Sequence, residues 1–271
     1  MDLRDGRRLG YAEWGLPGGT PVLGFLGTSL SRVVHLGDEA PRSAGVRLVL
    51  VDRPGYGLSD FQPGRALLDW PGDVAELADA LGIDRFAVFG MSGGGPHAAA
   101  CGFALSERVT AVGLISSPGP VWDRRELLFS LPSHRQELVP LAEHNPAAAA
   151  RQLIDDCRAE LEETVREGRD GDIGDAELRE RFHAAARETA ARGPEGYAHD
   201  LFLLFFAPWG FAPEEIRVPV QIWHGDRDEA VSPAVAEFFA RTIPGAELRM
   251  VPGEGHLLLW SHAEQILGSL R

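Results

Sequence analysis

A serine lies among glycines at residues 90–95, directly after a short apolar segment. The sequence there reads Gly90-Met91-Ser92-Gly93-Gly94. A serine on a sharp turn between a strand and a helix has strained backbone geometry, and glycines two residues before and after it prevent Cβ clashes. A helix that begins at Ser92 would direct free backbone N–H groups, including that of Gly93, at negative charge developing beside the hydroxyl. We therefore predict that Ser92 is a nucleophile.

Two later loops supply groups that could activate this serine. A serine hydroxyl is a poor nucleophile at neutral pH and needs a nearby base, together with a third group that orients the base. Asp228 ends the turn Gly225-Asp226-Arg227-Asp228, and His256 follows the last predicted strand. We predict a triad of Ser92, Asp228 and His256, with Asp226 as the competing acid. The other histidines, including His97, His224 and His262, are expected at surface or packing positions, with His97 the best candidate for lining a pocket.

Short β-prone apolar runs alternate with segments of helical periodicity over much of the chain. Strands are predicted over residues 21–26, 46–51, 85–89, 109–116, 218–224 and 246–251, after a hairpin-like start at residues 5–15. Helices are predicted over residues 69–81, 96–105 and 233–241 and at the C-terminus. This alternation indicates an α/β fold with a doubly wound, mostly parallel sheet, in which reactive loops gather at the carboxyl ends of the strands.

The alternation stops between Pro118 and about Pro213, where charged amphipathic helices are predicted instead. We therefore predict a core domain made of residues 1–117 and 213–271 and an inserted helical cap made of residues 118–212. The segment 201–211 is apolar on every face, so it must be buried or line an apolar pocket. The predicted substrate-binding residues are Ser29, Met91, His97, Phe202, Phe206 and Trp209.

Composition and charge exclude several classes of function. The net charge of −14 has the wrong sign for a nucleic-acid partner. All 26 basic residues are arginines, which excludes a lysine Schiff base and a P-loop lysine. The two cysteines have no metal-ligand spacing, and we find neither a signal-peptide h-region nor a membrane span. We expect a cytoplasmic monomer or homodimer that acts on a small molecule without a metal, an organic cofactor or a membrane partner.

Taken together, these motifs resemble those of the α/β-hydrolase superfamily, in its capped esterase, peptidase and lactonase-like branch, over essentially the whole chain. The matching stretches are the Asp-Arg-Pro-Gly-Tyr-Gly-Leu-Ser-Asp loop at 52–60, the nucleophile elbow at 90–94, the turn at 225–228 and Gly255-His256. The resemblance implies that Ser92 is the nucleophile, His256 the general base and then acid, and Asp228 the orienting carboxylate. It argues against epoxide hydrolase and haloalkane dehalogenase activity, because those relatives carry aspartate in place of the serine.

One loop departs from the family pattern. After the first buried strand such enzymes commonly carry His-Gly and then a residue whose backbone N–H completes the oxyanion hole, and this chain has Leu26-Gly27-Thr28 there. We predict that the N–H groups of Thr28 and Gly93 form the hole. Without the histidine, the loop must be braced in some other way.

Three functions are compatible with these features. The first is a serine hydrolase that cleaves a carboxylic ester, thioester or lactone of a mainly apolar small molecule through an acyl-enzyme. The second is a non-hydrolytic enzyme of the same fold, a cyclase, lyase or acyl transferase of natural-product biosynthesis, which the altered oxyanion loop suggests. The third is a catalytically silent ligand-binding protein, against which the complete triad argues.

Overall fold

The computed structural model describes residues 1–167 and 173–271, without the side chain of Glu167. Within these residues the strands form one sheet in the order β1-β3-β2-β4-β5-β6-β7. Their bounds are β1 Tyr11–Gly15, β2 Thr20–Phe25, β3 Val46–Val51, β4 Phe86–Met91, β5 Val109–Ile115, β6 Val220–Gly225 and β7 Glu247–Val251. β1 is antiparallel to β3, and the other neighbouring pairs are parallel. The predicted mostly parallel α/β sheet is therefore confirmed.

The start of the chain differs in part from the predicted hairpin. An antiparallel bridge joins Asp2 to Arg8, with Gly6 at a positive φ between them. The strand that follows, β1, pairs with β3 and not with its neighbour in sequence, β2. The predicted turn is present, but the choice of partner strand depends on contacts between distant segments.

Helices cover both faces of the sheet and form most of the segment between β5 and β6. Their bounds are α1 Glu39–Ser43, α2 Trp70–Ala80, α3 Gly95–Ala104, α4 Ser133–Gln136, α5 Val139–His144, α6 Pro146–Glu167, α7 Ala176–Arg192, α8 Glu195–Phe205, α9 Pro233–Thr242, α10 Leu258–Ser261 and α11 Ala263–Gly268. Short 3-10 helices lie at Leu67–Asp69, Ser92–Gly94, Arg125–Ser130 and Pro213–Glu215.

The core lies on both faces of the central strands. Along β3, Val49 belongs to one hydrophobic cluster, whereas Leu48 and Leu50 belong to the other. This alternation follows from the two-residue repeat of a strand, and because both faces are covered, the strand sequence is apolar throughout.

The described residues between β5 and β6 contain helices and loops but no strand. α6 packs against α5, α7 and α8. Residues 168–172, which belong to the predicted cap, lie outside the described part of the chain. The division into core and cap stays a prediction. None of the helices in the described residues is both long enough and apolar enough to span a membrane.

Candidate active site

The predicted nucleophile Ser92 lies at the sharp turn between β4 and α3. Its φ is +50°, a left-handed conformation that is costly for a residue with a side chain. A Cβ built on Gly90 would lie 2.1 Å from the carbonyl oxygen of Gly94, and one on Gly94 would lie 2.0 Å from that of Phe25. Only glycine fits at these two positions, and this close packing holds Ser92 on its strained turn.

His256 and Asp228 are in direct contact. The Nδ1 atom of His256 lies 2.9 Å and 3.0 Å from the two carboxylate oxygens of Asp228. One of these oxygens also accepts hydrogen bonds from the backbone N–H groups of Ala230 and Val231, each at 2.9 Å. This arrangement orients the imidazole ring through its Nδ1 atom. No hydrogen bond joins Ser92 to His256 among the described residues; such contacts are often loose before a substrate binds.

The surroundings of Asp228 keep its carboxyl group ionised. Burial raises the pKa of Asp228, but hydrogen bonds from His224, His256 and the Val231 backbone outweigh burial and hold the pKa below its usual range. The competing acid, Asp226, is exposed and accepts a hydrogen bond from the Gly253 N–H. Of the two acids in this turn, Asp228 is the one that contacts His256.

His224 is a further residue of the site, for which the sequence predicted only a surface or packing position. Its ring is buried, and its Nε2 atom lies 2.9 Å from the carbonyl oxygen of Val231 and 3.3 Å from Asp228 Oδ2. Because a carbonyl oxygen can only accept, Nε2 carries the proton. The signal in the sequence was its place, at the end of a strand and four residues before the acid.

The two predicted oxyanion-hole residues lie next to each other. A Cβ built on Gly93 would lie 3.3 Å from the backbone nitrogen of Thr28, and one built on Gly27 would lie 3.3 Å from Ser92 Cβ. The loop that carries Thr28 is held by Arg53, which donates one hydrogen bond to the carbonyl of Leu26 and another, at 3.0 Å, to that of Gly27. Sequence reasoning did not assign this role to Arg53.

The predicted substrate-binding residues differ in exposure. Phe202 is half-buried, whereas Ser29, Met91, His97, Phe206 and Trp209 are buried. Trp209 stacks on Phe239 and donates from its Nε1 atom to the carbonyl of Leu204. Contact of these residues with a substrate stays a prediction.

His97 lies beneath the nucleophile turn with no exposed surface. Its Nδ1 atom donates to the Gly93 carbonyl at 3.0 Å, and its Nε2 atom lies 3.6 Å from Asp200. Burial lowers the pKa of His97 to about 3, so that the ring is neutral at pH 7. Within residues 1–167 and 173–271, no three histidine, cysteine or acidic side chains cluster in a way that could hold a metal ion.

Comparison with known proteins identifies the family. Residues 22–263 match the model of the alpha/beta hydrolase fold. The chain belongs to the α/β-hydrolase family. The resemblance predicted from the sequence motifs is therefore confirmed.

Curated relatives of this α/β-hydrolase include hydrolases and a peroxidase. It is 26% identical over 241 residues to a 2-hydroxy-6-oxononadienedioate/2-hydroxy-6-oxononatrienedioate hydrolase of Burkholderia vietnamiensis. The matched region covers 85% of this chain and 77% of the relative. It is 27% identical over 285 residues to a non-heme chloroperoxidase of Streptomyces lividans, covering 96% of this chain and 93% of the relative. The hydrolase relative and the family model support a hydrolytic role.

The same fold appears among solved structures. An esterase from Exiguobacterium antarcticum superimposes with a TM-score of 0.73 at 19% identity, covering 98% of this chain and 95% of the esterase. At this identity the likeness concerns the fold alone.

Proposed function

We propose that this α/β-hydrolase is a serine hydrolase that cleaves a carboxylic ester, thioester or lactone of a mainly apolar small molecule. The observation that carries the proposal is the hydrogen bond between His256 Nδ1 and the buried carboxylate of Asp228. A histidine oriented in this way is the base that a serine nucleophile requires. Ser92, at positive φ on its glycine-packed turn, is the proposed nucleophile.

The proposed reaction has two steps. Ser92 Oγ attacks the substrate carbonyl and gives its proton to His256 Nε2, while Asp228 holds the Nδ1–H and stabilises the imidazolium. The N–H groups of Thr28 and Gly93 stabilise the negative oxygen of the tetrahedral intermediate. His256 then protonates the leaving group, and an acyl-enzyme remains on Ser92. In the second step His256 activates a water molecule, which releases the acid and restores the serine.

Apolar residues near the turn favour an apolar acyl group. A Cβ built on Gly93 would lie 3.3 Å from the Leu204 side chain in α8, so this helix packs directly beside the proposed oxyanion hole. Phe202 and Phe206 contact each other, with ring centres 6.3 Å apart. We infer that residues 118–212 form a cap over the site and that the enzyme works without a metal or cofactor on a small molecule in the cytoplasm.

Fluorophosphonate labelling read by intact mass, together with turnover of p-nitrophenyl esters of rising chain length, tests this proposal. We expect the wild-type protein to take up one label and hydrolyse the esters, and Ser92→Ala to do neither. Asp228→Asn should lower kcat by about 10⁴-fold, because an asparagine no longer fixes the tautomer of His256. The matched control Asp226→Asn removes the exposed acid of the same turn and should stay within about threefold of wild type.

The outcomes separate the competing functions. Labelling of Ser92 without ester hydrolysis would favour non-hydrolytic chemistry, such as acyl transfer, on the same nucleophile. A folded wild-type protein that is neither labelled nor active would contradict the serine mechanism altogether. Equal losses in Asp226→Asn and Asp228→Asn would contradict the assignment of the acid.

A further inference from the structure

A cluster of buried charged side chains joins α8 to the loop after β2. Asp200 of α8 accepts a hydrogen bond from Arg53 Nε at 2.8 Å and another from Arg65. The side chains of Arg53, Arg65 and Asp200 are 1% exposed or less. Arg53 also stacks over the ring of Tyr56, with its guanidinium carbon 4.6 Å from the ring centre. These contacts fix the guanidinium of Arg53 in one plane.

The guanidinium of Arg53 also holds the loop that carries the proposed oxyanion hole. Its two terminal nitrogens donate to the carbonyl oxygens of Leu26 and Gly27. The Gly27 carbonyl and the Thr28 N–H belong to the same planar, trans peptide group and point in opposite directions. Holding this carbonyl on Arg53 therefore sets the direction of the Thr28 N–H. A cation on the carbonyl oxygen also polarises the peptide and makes its N–H a better donor.

Arg53 and Asp200 both stay charged although they are buried away from solvent. Burial raises the pKa of Asp200, but the positive charges of Arg65 and Arg53 outweigh burial and hold this pKa well below its usual range. Two guanidinium groups face one carboxylate, so the carboxylate has no tendency to take up a proton near neutral pH. The guanidinium of Arg53 is thus held by a carboxylate of α8, Asp200, that stays ionised near neutral pH.

A second helix of the same segment contacts the remainder of the loop. Glu188 of α7 accepts a hydrogen bond from Ser31 Oγ at 2.7 Å and pairs with Arg32 Nη2 at 3.2 Å. The next residue, Thr189, donates to the carbonyl of Ser29 at 3.3 Å. The loop at residues 26–32 is therefore held from one end by α8, through Arg53, and from the other end by α7.

We propose that Arg53 and Asp200 are positioning residues, and that the oxyanion hole is formed only while α7 and α8 are docked on the loop at residues 26–32. This inference rests on the proposed function. Neither residue takes part in bond making, because Arg53 acts through the peptide that carries the Thr28 N–H. The pair supplies the brace that the loop needs in the absence of a histidine before Gly27. Docking of α7 and α8 on the loop and formation of the oxyanion hole are then coupled.

The variants Asp200→Asn and Arg53→Lys test this coupling. Asparagine keeps the size of the Asp200 side chain but loses its charge. Lysine carries its donors on a single nitrogen, so it cannot bind Asp200 and both carbonyls in the way that the three guanidinium nitrogens do. The matched control is Arg7→Lys, which changes a largely buried arginine paired with Asp73 at 2.7 Å, between the N-terminal turn and α2. Hydrogen exchange of the amides of residues 26–32 is measured together with kcat and KM for a p-nitrophenyl ester.

In both test variants we expect exchange of the loop amides to become at least about tenfold faster, with exchange in β3 and β4 unchanged. We expect kcat to fall about ten- to hundredfold with KM within about threefold, because loss of one oxyanion donor costs about 10²–10³ in kcat and misplacement costs part of that. Affinity for a trifluoromethyl ketone, which forms a tetrahedral adduct, should fall in parallel with kcat. Arg7→Lys should change none of these quantities.

Loop exchange at the wild-type rate in both variants would overturn the positioning role, and so would faster exchange with an unchanged kcat. If Asp200→Asn does not fold, Asp200→Glu keeps the charge but displaces it, and wild-type exchange in that variant would equally overturn the proposal. A wild-type protein without esterase activity would remove the proposed function, whereas the exchange measurement would still decide whether the pair braces the loop.

Discussion

Three histidines near the site have different surroundings and therefore different roles at the scale of single residues. His256 is half-buried, contacts Asp228 and is the proposed base. His224 is buried on the other side of the same carboxylate. His97 is buried beneath Gly93 and faces Asp200. The residue type is the same, but only the placement of the ring decides whether it acts as a base, as an orienting donor or as packing.

The buried ring of His97 should make stability depend on pH. Its pKa is 6.5 in the unfolded chain and falls to about 3 in the folded protein because of burial. Between these values the unfolded state binds one more proton, so the free energy of unfolding falls as pH drops from 6.5 towards 3, by up to ~1.4 kcal/mol per pH unit. We expect His97→Gln to reduce this slope by up to ~1.4 kcal/mol per pH unit, the contribution of one proton. The measurement is urea unfolding between pH 4 and 6.5.

Two half-buried histidines contribute in the same direction. Burial also lowers the pKa values of His35 and His199, so a residual slope should remain in His97→Gln. The control His144→Gln changes an exposed ring and should leave the slope as in wild type. A slope in His97→Gln that equals the wild-type slope would show that His97 is not the group that titrates.

At the scale of elements, the turn between β4 and α3 leaves no space for a side chain at Gly90. A methyl group there would lie 2.1 Å from the carbonyl oxygen and 2.3 Å from the carbonyl carbon of Gly94, and backbone atoms cannot rotate away. We expect Gly90→Ala to lower the free energy of unfolding in urea by about 3 kcal/mol. It should also abolish fluorophosphonate labelling, because Ser92 would leave its position.

Gly72 of α2 provides the control for this prediction. A Cβ built on Gly72 would meet no atom within 4 Å, so Gly72→Ala should raise the free energy of unfolding by up to about 1 kcal/mol through helix propensity. Wild-type stability and labelling in Gly90→Ala would mean that the turn is looser than its geometry implies.

Local sequence patterns predicted the elements but not the contacts between distant ones. The apolar run of β3 was predicted at its observed bounds, Val46–Val51, because amino-acid composition is enough to distinguish a buried strand from a loop. The glycines around Ser92 predicted its turn for an equally local reason. Arg53 and Asp200 are 147 residues apart, and no periodicity or spacing relates them. Their pairing exists only once α8 lies over the loop after β3.

At the scale of the whole molecule, α8 meets the loop at residues 52–60 through two glycines in backbone contact. A Cβ built on Gly196 would lie 2.7 Å from Gly55 Cα, and one built on Gly55, whose φ is +88°, would lie 2.6 Å from Gly196 Cα. Side chains of any size would force the two backbones apart. Asp200 lies one helical turn further along α8, so its distance from Arg53 depends on this close approach.

Gly196→Ala should therefore act on the site from a distance. The added methyl group must move α8 away from Gly55, and we expect a loss of about 1–3 kcal/mol in the free energy of unfolding. Because Asp200 moves with the helix, hydrogen exchange at residues 26–32 should accelerate as it does in Asp200→Asn. The control Gly174→Ala lies in the same segment between β5 and β6, where a Cβ meets no atom within 4 Å, and should leave both quantities unchanged. Slower turnover without faster loop exchange in Gly196→Ala would mean that α8 affects the substrate directly and not through the oxyanion loop.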